Sequence, residues 1–238
     1  EEGLMDRLRE QDRYIERFPV AYPDDDDPFN LPNVVKAIAS FQRTMISANS
    51  DYDKHQRGEP DAMSEEAQRG MTLFFSERLE CFHCHSGFNF SDSVSSPEFP
   101  FAERPFHNNG MYNIGETGAY PTNQGVYELT GEADDQGKFK APTLRNIAVT
   151  APYLHDGSVE TLEELIDLYA AGGRAIDEGE FAGDGRNHPN KSTFIVGFDL
   201  TEAERSDLVA FLHALTDEEF LTNPALSNPY TPTPGASP

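Results

Sequence analysis

The two cysteines of this chain, Cys81 and Cys84, lie in the stretch CFHCHSGFNF at residues 81–90 and are followed directly by His85. Cys-x-x-Cys-His is the sequence that attaches c-type haem. Two thiols at this spacing reach the two vinyl groups of one porphyrin, and the adjacent imidazole is placed to bind the iron. The motif therefore predicts one covalently attached haem c on this chain, with His85 as an axial ligand.

Three other interpretations of the motif are open at this point. A zinc site needs further ligands at a regular spacing, and His107 and His155 are widely separated along the chain. A thioredoxin-like redox pair normally lies in a βαβ unit, which this sequence does not indicate, and it does not require His85. The third alternative is a chance match.

The second axial ligand decides whether such a haem transfers electrons, binds ligands or reacts with peroxide. The residue types that could serve are methionine, histidine and tyrosine, and sequence spacing alone does not choose among them. The candidates are Met63, Met71, Met111, His107, His155, Tyr112, Tyr153 and Tyr169.

The chain is strongly acidic, with 18 Lys and Arg against 42 Asp and Glu and a formal net charge of −24. This charge argues against binding to nucleic acid and to anionic membrane surfaces. A neutral or basic protein partner fits better, although the acidity could also serve solubility alone. No run of 18 apolar residues occurs, so we expect a protein that does not span a membrane.

The first residues, EEGLMDRLRE, have neither the basic region nor the apolar core of a signal peptide. Haem attachment nevertheless requires that the thiols are loaded outside the reducing cytosol. Together these observations predict a periplasmic or extracytoplasmic protein whose signal peptide has been removed.

Hydrophobic periodicity predicts helices on both sides of the motif. A short amphipathic helix is expected over residues 4–18 and is ended by the acidic stretch PDDDDP. A second is expected over 33–47, with Asn33 as its N-cap. A third, over 64–79, has acidic residues in its first turn and leads to Cys81.

The rest of the chain has two clear helix starts and long irregular stretches. Thr161–Glu164 and Thr201–Glu204 each match the capping box that opens a helix. Residues 86–140 are rich in Gly, Pro, Asn, Ser and Asp, which predicts a long irregular segment, and a segment of that length is usually functional or ordered by something it binds. The tail after Asn223 is Pro-rich and is expected to be extended or disordered.

Residues 139–173, FKAPTLRNIAVTAPYLHDGSVETLEELIDLYAAGG, resemble the C-terminal haem domain of bacterial di-haem cytochrome c peroxidases and MauG-type enzymes. The stretches GMTLFFSERLECFHCHSGFNFSD, FHNNGMYN and LTEAERSDLVAFLHALTDEEF match as well, so the resemblance extends from about residue 30 to 221. Pattern and resemblance together predict a mainly α, class I cytochrome c-like haem domain with long irregular loops. We expect an N-terminal helix and acidic linker at 1–30, the cytochrome domain at 31–222 and the tail at 223–238.

The resemblance also implies roles for individual residues. The distal ligand of this haem is a methionine in conventional peroxidases and a tyrosine in the MauG type, eight residues after the threonine that opens the TLEE-like helix. Eight residues after Thr161 is Tyr169, which implies His/Tyr ligation and a low reduction potential. His155 matches a position close to the haem, either in proton or electron transfer or as a hydrogen-bonded core histidine. Arg145 matches an arginine expected near the haem propionates.

A calcium ion between two haems is a further implication of the resemblance. The backbone carbonyls of Thr150 and Pro152 match its ligands, and another ligand comes from a part of the family that precedes Glu1. The family has two Cys-x-x-Cys-His motifs, whereas this chain has one. The haem that binds and splits peroxide therefore belongs to an N-terminal domain or fragment outside this chain, and this chain alone is expected to do little peroxide chemistry.

The activity implied is that of a periplasmic di-haem enzyme that uses hydrogen peroxide and high-valent haem iron to oxidise a partner protein. The finer resemblance, in FFSERLECFHCHSGFNFSDS, AYPTNQGVYELTG and LTDEEFLTNP, is to the di-haem enzymes of methanobactin operons (MbnH-like), which convert a partner's tryptophan to kynurenine. The alternatives are a conventional cytochrome c peroxidase, in which this haem receives electrons from a donor protein, and a one-haem electron carrier without catalysis of its own.

Overall fold

The computed structural model describes residues 2–94 and 105–228. Ten helices occur in these ranges: Glu2–Arg9 (α1), Asp12–Ala21 (α2), Leu31–Gln42 (α3), Asp51–Gln56 (α4), Glu65–Phe74 (α5), Cys81–Cys84 (α6), Tyr127–Thr130 (α7), Leu162–Ala170 (α8), Glu202–His213 (α9) and Glu218–Leu221 (α10). Two antiparallel strand pairs join Phe106–His107 (β1) to Phe139–Lys140 (β2) and Ala175–Ile176 (β3) to Gly183–Asp184 (β4). The mainly α fold with long irregular loops is confirmed.

None of the helices in the described ranges has the length and apolar character that a membrane crossing requires.

The chain divides into two compact units. One contains the residues up to Ser47 together with those from Phe220 onward, and the other is Ala48–Glu219. Helix α3 thus lies in the same unit as residues 1–30, although the sequence analysis put a boundary between them. The predicted limits of the cytochrome domain stay a prediction. In the tail, residues 224–226 form a short 3-10 helix, and residues 229–238 lie outside the described part.

The first unit corrects the single helix predicted over residues 4–18. Two helices form instead, because the extended backbone of Gln11, which precedes α2 without a side-chain capping bond, interrupts the helix. The break lets Met5 of α1 and Phe18 of α2 share one small core with Val34 of α3. Helix α2 continues to Ala21 and includes Pro19.

The predicted start of α3 was also wrong. Its N-cap is Asn30, whose side chain accepts a hydrogen bond from the Asn33 backbone N–H at 2.9 Å. Pro32, in the first turn, has a backbone angle that favours this earlier start. Asn33 is instead a buried residue, and its amide donates to Asp25 at 2.6 Å and to the Pro28 carbonyl at 2.9 Å. The helix ends at Gln42, short of residue 47.

Helix α5 begins as predicted but ends earlier. The Ser64 side chain accepts a hydrogen bond from the Ala67 N–H and caps the helix. The helix ends at Phe74, where a turn from Ser76 buries Leu79 in the core before the chain reaches Cys81. The prediction that the helix extends to residue 79 was therefore wrong.

The two predicted capping boxes are confirmed. Thr161 and Glu164 exchange side-chain and backbone hydrogen bonds at the start of α8, and Thr201 and Glu204 do so at the start of α9. Each pair satisfies N–H groups that have no partner within the helix. In α9 the apolar face buries Leu208, Phe211 and Leu212 in the main core.

Helices α5 and α9 form the centre of the second unit. Gly70 lies against the α9 backbone, where a Cβ would overlap the carbonyl oxygen of Asp207 and contact Phe211. Beside this contact Arg69 donates two hydrogen bonds of 2.8 Å to the Asp207 carboxylate. The absence of a side chain at Gly70 thus allows the close approach of the two helices.

Hydrogen bonds from buried asparagines order the described parts of the irregular segment 86–140. Asn108 donates to the Gln136 carbonyl at 3.0 Å and accepts from the Gly110 N–H at 2.8 Å. Asn113 likewise accepts from the Gly118 N–H at 2.8 Å. Side-chain amides therefore supply hydrogen bonds that a longer sheet would otherwise supply in this segment.

The α5–α9 contact predicts a large effect for a small substitution. Gly70→Ala should lower the free energy of unfolding by about 1–3 kcal/mol, because the two backbones must move apart. Denaturant unfolding of the folded protein measures it. The matched control is Gly3→Ala in α1, where the space is open and stability should stay level or rise by less than about 1 kcal/mol. Equal stability of both variants would contradict the close packing.

Candidate haem centre

The short helix α6 places both thiols on one face. Cys81 and Cys84 are three positions apart on one helical turn, and both are free and half-buried. Burial raises the pKa of each thiol to about 12, and the Asp92 carboxylate adds to this at Cys84. Both groups are therefore neutral thiols at pH 7, the form that adds to a vinyl group without leaving a buried charge.

His85 is held by the backbone of the next loop. Its Nδ1 lies 3.0 Å from the Phe90 carbonyl oxygen. A carbonyl only accepts hydrogen bonds, so Nδ1 carries the proton and Nε2 keeps its lone pair for a metal. Burial lowers the pKa of His85, which keeps the imidazole in the neutral form that ligation requires.

Phe90 connects this loop to the core. Its side chain is fully buried and packs against Tyr52, Phe74 and Phe211. Its backbone has a positive φ of 49°, a conformation that is rare for a residue with a side chain. This conformation presents the carbonyl to His85 while the ring stays in the core.

Tyr169 lies in the last turn of α8, close to the two thiols. Burial raises the pKa of its phenol, and the ionised forms of Cys84 and Cys81 would raise it further. A hydrogen bond from the Asn109 side chain acts in the opposite direction and favours the phenolate. Tyr169 thus lies near enough to the thiols of the Cys-x-x-Cys-His motif for their charges to act on it, and its ligation stays a prediction.

Other axial candidates have partners elsewhere in the described chain. The Tyr112 hydroxyl donates to Asp156 at 2.7 Å, and that of Tyr153 donates to the Ile147 carbonyl at 3.1 Å. Met63 packs in the main core, and Met111 is fully buried beside Tyr112. These contacts explain such residues by packing and hydrogen bonding alone.

His155 has an unsatisfied buried atom. Its ring stacks on Phe139 with centroids 3.9 Å apart and an interplanar angle of 17°. Its Nε2 is buried and has no hydrogen-bond partner within residues 2–94 and 105–228, and burial lowers the pKa of the imidazole. A buried nitrogen of this kind suits a polar partner supplied by a bound group, so a role in the reaction stays a prediction.

Arg145 forms a buried ion pair within the protein. It donates to both carboxylate oxygens of Asp53 at 2.9 and 3.0 Å and to the Phe88 carbonyl at 2.7 Å. The pair connects α4 to the loop that follows the haem motif. Contact between Arg145 and a haem propionate stays a prediction. The guanidinium would have to make that contact while keeping its hydrogen bonds to Asp53 and Phe88.

An aspartate and a histidine beside Cys84 were missed as a pair. His107 Nε2 lies 2.6 Å from Asp92 Oδ2, and ligand atoms of Cys84, Asp92 and His107 lie within 4.8 Å of one another. The sequence indicates His107 only as a candidate axial ligand, or as a zinc ligand far along the chain from His155. The two residues are far apart in a segment without periodicity, so no sequence signal pairs them.

Thr150 and Pro152 follow the 3-10 helix Ile147–Val149, and both are exposed. The Thr150 hydroxyl donates to the Ile147 carbonyl at 3.0 Å. Calcium binding through the two backbone carbonyls stays a prediction.

The donor set fits a c-type haem. Two free thiols share one face, a neutral imidazole has Nε2 available, and a phenol lies near the thiols. In the part of the chain that the structure describes, a buried nitrogen of His155 also lacks a partner. Zinc is a poorer fit at the cysteines, because the cluster of Cys84, Asp92 and His107 includes only one of the two thiols. The helical fold and this site define a cytochrome c-like domain.

Comparison with known proteins identifies similar proteins. The family described as di-haem cytochrome c peroxidase matches residues 1–61, and one described as RoxA-like, cytochrome c-like matches residues 138–170. The chain is 35% identical to cytochrome-c peroxidase IdrP1 of Denitromonas iodatirespirans, over 97% of this chain and 62% of that protein. It is 29% identical to MauG of Methylorubrum extorquens, over 90% and 52%. This chain is thus similar to di-haem cytochrome c peroxidases and to MauG.

A solved structure shows the same similarity. A MauG-like protein associated with microbial copper homeostasis superposes with a TM-score of 0.90 and 46% sequence identity, over 95% of this chain and 65% of that one. The chain thus spans less than two thirds of the length of these relatives.

The Arg145–Asp53 pair should contribute strongly to stability. Both side chains are close to nine-tenths buried, so Arg145→Met should lower the free energy of unfolding by about 3 kcal/mol, mainly by leaving Asp53 unpaired. Arg186→Met, which breaks an exposed pair with Asp184, should cost less than about 1 kcal/mol. Urea unfolding compares the two, and equal losses would contradict the role of burial.

The contribution of this pair should also depend on pH. Burial raises the pKa of Asp53, but the hydrogen bonds from Arg145 and Ser50 outweigh burial and hold it below the ordinary value of 3.8. A depressed folded-state pKa stabilises the protein above pH 3.8, and this stabilisation is lost as the pH falls through the folded-state pKa. The difference between parent and Arg145→Met should therefore shrink in that range.

Proposed function

We propose that this chain is the C-terminal haem domain of a periplasmic, MauG-like di-haem enzyme that uses hydrogen peroxide to oxidise a partner protein. The observation that carries the proposal is the Cys81, Cys84 and His85 motif, with Tyr169 near enough to both thiols for their charges to act on its phenol. Haem iron would supply the redox chemistry. A partner tryptophan converted to kynurenine is the specific reaction that the resemblance favours.

Each side chain has a defined task in this proposal. Cys81 and Cys84 would hold the haem through thioether bonds, and His85 would hold the iron through Nε2. Tyr169 would supply a hard, anionic oxygen ligand, which favours oxidised iron and a low reduction potential. Asn109 supports this by donating a hydrogen bond to the phenol oxygen.

A second haem domain is expected to complete the enzyme. The relatives are longer than this chain, and the family that matches residues 1–61 is described as di-haem. Helix α3 exposes a row of apolar side chains, Val35, Ile38 and Phe41, within the first unit. An N-terminal haem domain that covers this row would bury it, and that domain would be the place where peroxide binds.

A conventional cytochrome c peroxidase is the second candidate. The 35% identity to a protein named cytochrome-c peroxidase favours it. In that case this haem would accept electrons from a small donor protein and pass them on. Tyr169 argues against a conventional peroxidase, because the resemblance associates such enzymes with a methionine at this position.

The ligand is tested by Tyr169→Met in the haem-loaded full-length protein. Replacing the phenolate by a thioether should raise the reduction potential of one haem by on the order of 0.1 V or more, within the ~0.8 V range that axial ligands span. The control is Tyr153→Phe, which removes a hydroxyl that donates to the Ile147 carbonyl, and it should leave the reduction potential unchanged. Spectroelectrochemistry measures both, and an unmoved potential in Tyr169→Met would contradict the ligation.

The function is tested by haem counting and peroxide reaction on the full-length protein. We expect two haems per polypeptide by pyridine haemochrome, and one in the Cys81→Ala, Cys84→Ala double variant. Peroxide should oxidise a co-encoded partner, seen as a mass change, without consuming a reduced small cytochrome. Rapid consumption of the cytochrome instead favours the conventional peroxidase. A single haem and no peroxide reaction favours the electron carrier, and an unchanged haem count in the variant would sink the assignment of the motif.

A further inference from the structure

Glu77, Glu80 and His83 bring three potential metal ligands together beside the haem motif. Their ligand atoms lie within 4.8 Å of one another. His83 Nε2 is 2.7 Å from Glu80 Oε2 and 3.8 Å from Glu77 Oε2. The three residues follow one another at intervals of three across the turn that leads into α6, and none of them has a role in the proposed haem site.

The two less exposed members are held in place. Glu80 has a left-handed backbone with φ 59°, which fixes the direction of its side chain. Its Oε2 is buried and has no hydrogen-bond partner among the described residues, although His83 Nε2 lies 2.7 Å away. The His83 ring stacks on Phe194 with centroids 4.1 Å apart and an interplanar angle of 9°. Phe194 thus fixes the plane in which Nε2 faces the carboxylates.

The charge of this cluster is not balanced by a lysine or arginine. Within residues 2–94 and 105–228 the ion pairs of Glu77 and Glu80 are formed with His83 alone. Arg78, the basic residue between them, pairs with Glu204 at 2.5 Å. Two carboxylates facing one imidazole therefore leave an excess of negative charge that a dication would offset.

We propose that Glu77, Glu80 and His83 form a binding site for a divalent transition-metal ion of the Zn²⁺ type. One imidazole and two carboxylates suit Zn²⁺ or Cu²⁺, whereas Ca²⁺ and Mg²⁺ take oxygen ligands almost alone. The Glu77 side chain is 82% exposed, so solvent can complete the coordination. The site uses no cysteine, so it coexists with haem attachment at Cys81 and Cys84.

The test uses the full-length protein with its haem, freed of loosely bound metal by a chelator. Isothermal titration with Zn²⁺ should show a site that Ca²⁺ in excess does not displace. Glu80→Gln and His83→Gln should each weaken Zn²⁺ binding about tenfold or more. Mutation of residues that only hydrogen-bond to metal ligands already lowers metal affinity about 10–100-fold. The matched controls Glu180→Gln and His213→Asn alter exposed residues outside the cluster and should leave binding unchanged.

A spectroscopic readout separates a metal site from a plain ion pair. Cu²⁺ added to the same protein should show coupling to one imidazole nitrogen in pulsed EPR, and His83→Gln should abolish it. If His83→Gln also lowers the haem content, Glu80→Gln and Glu77→Gln decide instead. Absence of Zn²⁺ binding, or equal binding in parent and Glu80→Gln, would reduce the cluster to an ion pair and overturn the proposal. The haem count is measured in parallel, so failure here is distinct from failure of the proposed function.

Discussion

The hydrogen bond between His85 and the Phe90 carbonyl is the interaction on which the haem centre depends. A histidine that follows Cys-x-x-Cys can rotate freely unless its second nitrogen is held, and only the protonated nitrogen can donate. Phe90 supplies the acceptor from a left-handed conformation, which costs on the order of 1 kcal/mol for a residue with a side chain. Complete burial of its ring among aromatic neighbours offsets that cost. The core therefore orients the imidazole through a backbone atom.

The electrostatics of the site change in a definite direction when the thiols react. As free groups, Cys81 and Cys84 resist ionisation because they are buried, and only their ionised forms would raise the pKa of Tyr169. Thioethers carry no charge at any pH, so after attachment the thiols could no longer oppose a phenolate even at high pH. The desolvation of Tyr169 would remain, and a cationic iron would balance it if Tyr169 is the ligand. Asn109 acts in the same direction as the iron, because its hydrogen bond lowers the pKa of the phenol.

The sequence could predict features whose cause is local. The Cys-x-x-Cys-His motif and the capping boxes at Thr161 and Thr201 depend on residues within a few positions of one another, and the structure has both capping boxes. Features that depend on tertiary packing could not be predicted. Asn33 was predicted to be an N-cap, but its side chain is buried and donates hydrogen bonds to Asp25 and to the Pro28 carbonyl. The break between α1 and α2 accompanies a core that both helices share with Val34.

The same limit applies to the surroundings of the haem motif. Asp92 meets His107 because buried asparagines fold an irregular segment, and an irregular segment has no period from which a contact could be derived. Glu77, Glu80 and His83 are close in sequence, yet their convergence requires a turn where periodicity predicted a continuous helix. In a continuous helix, Glu77 and His83 would be six positions apart and would face different sides. The turn that follows the early end of α5 therefore has three consequences. It buries Leu79, it leads the chain to Cys81, and it brings Glu77, Glu80 and His83 together.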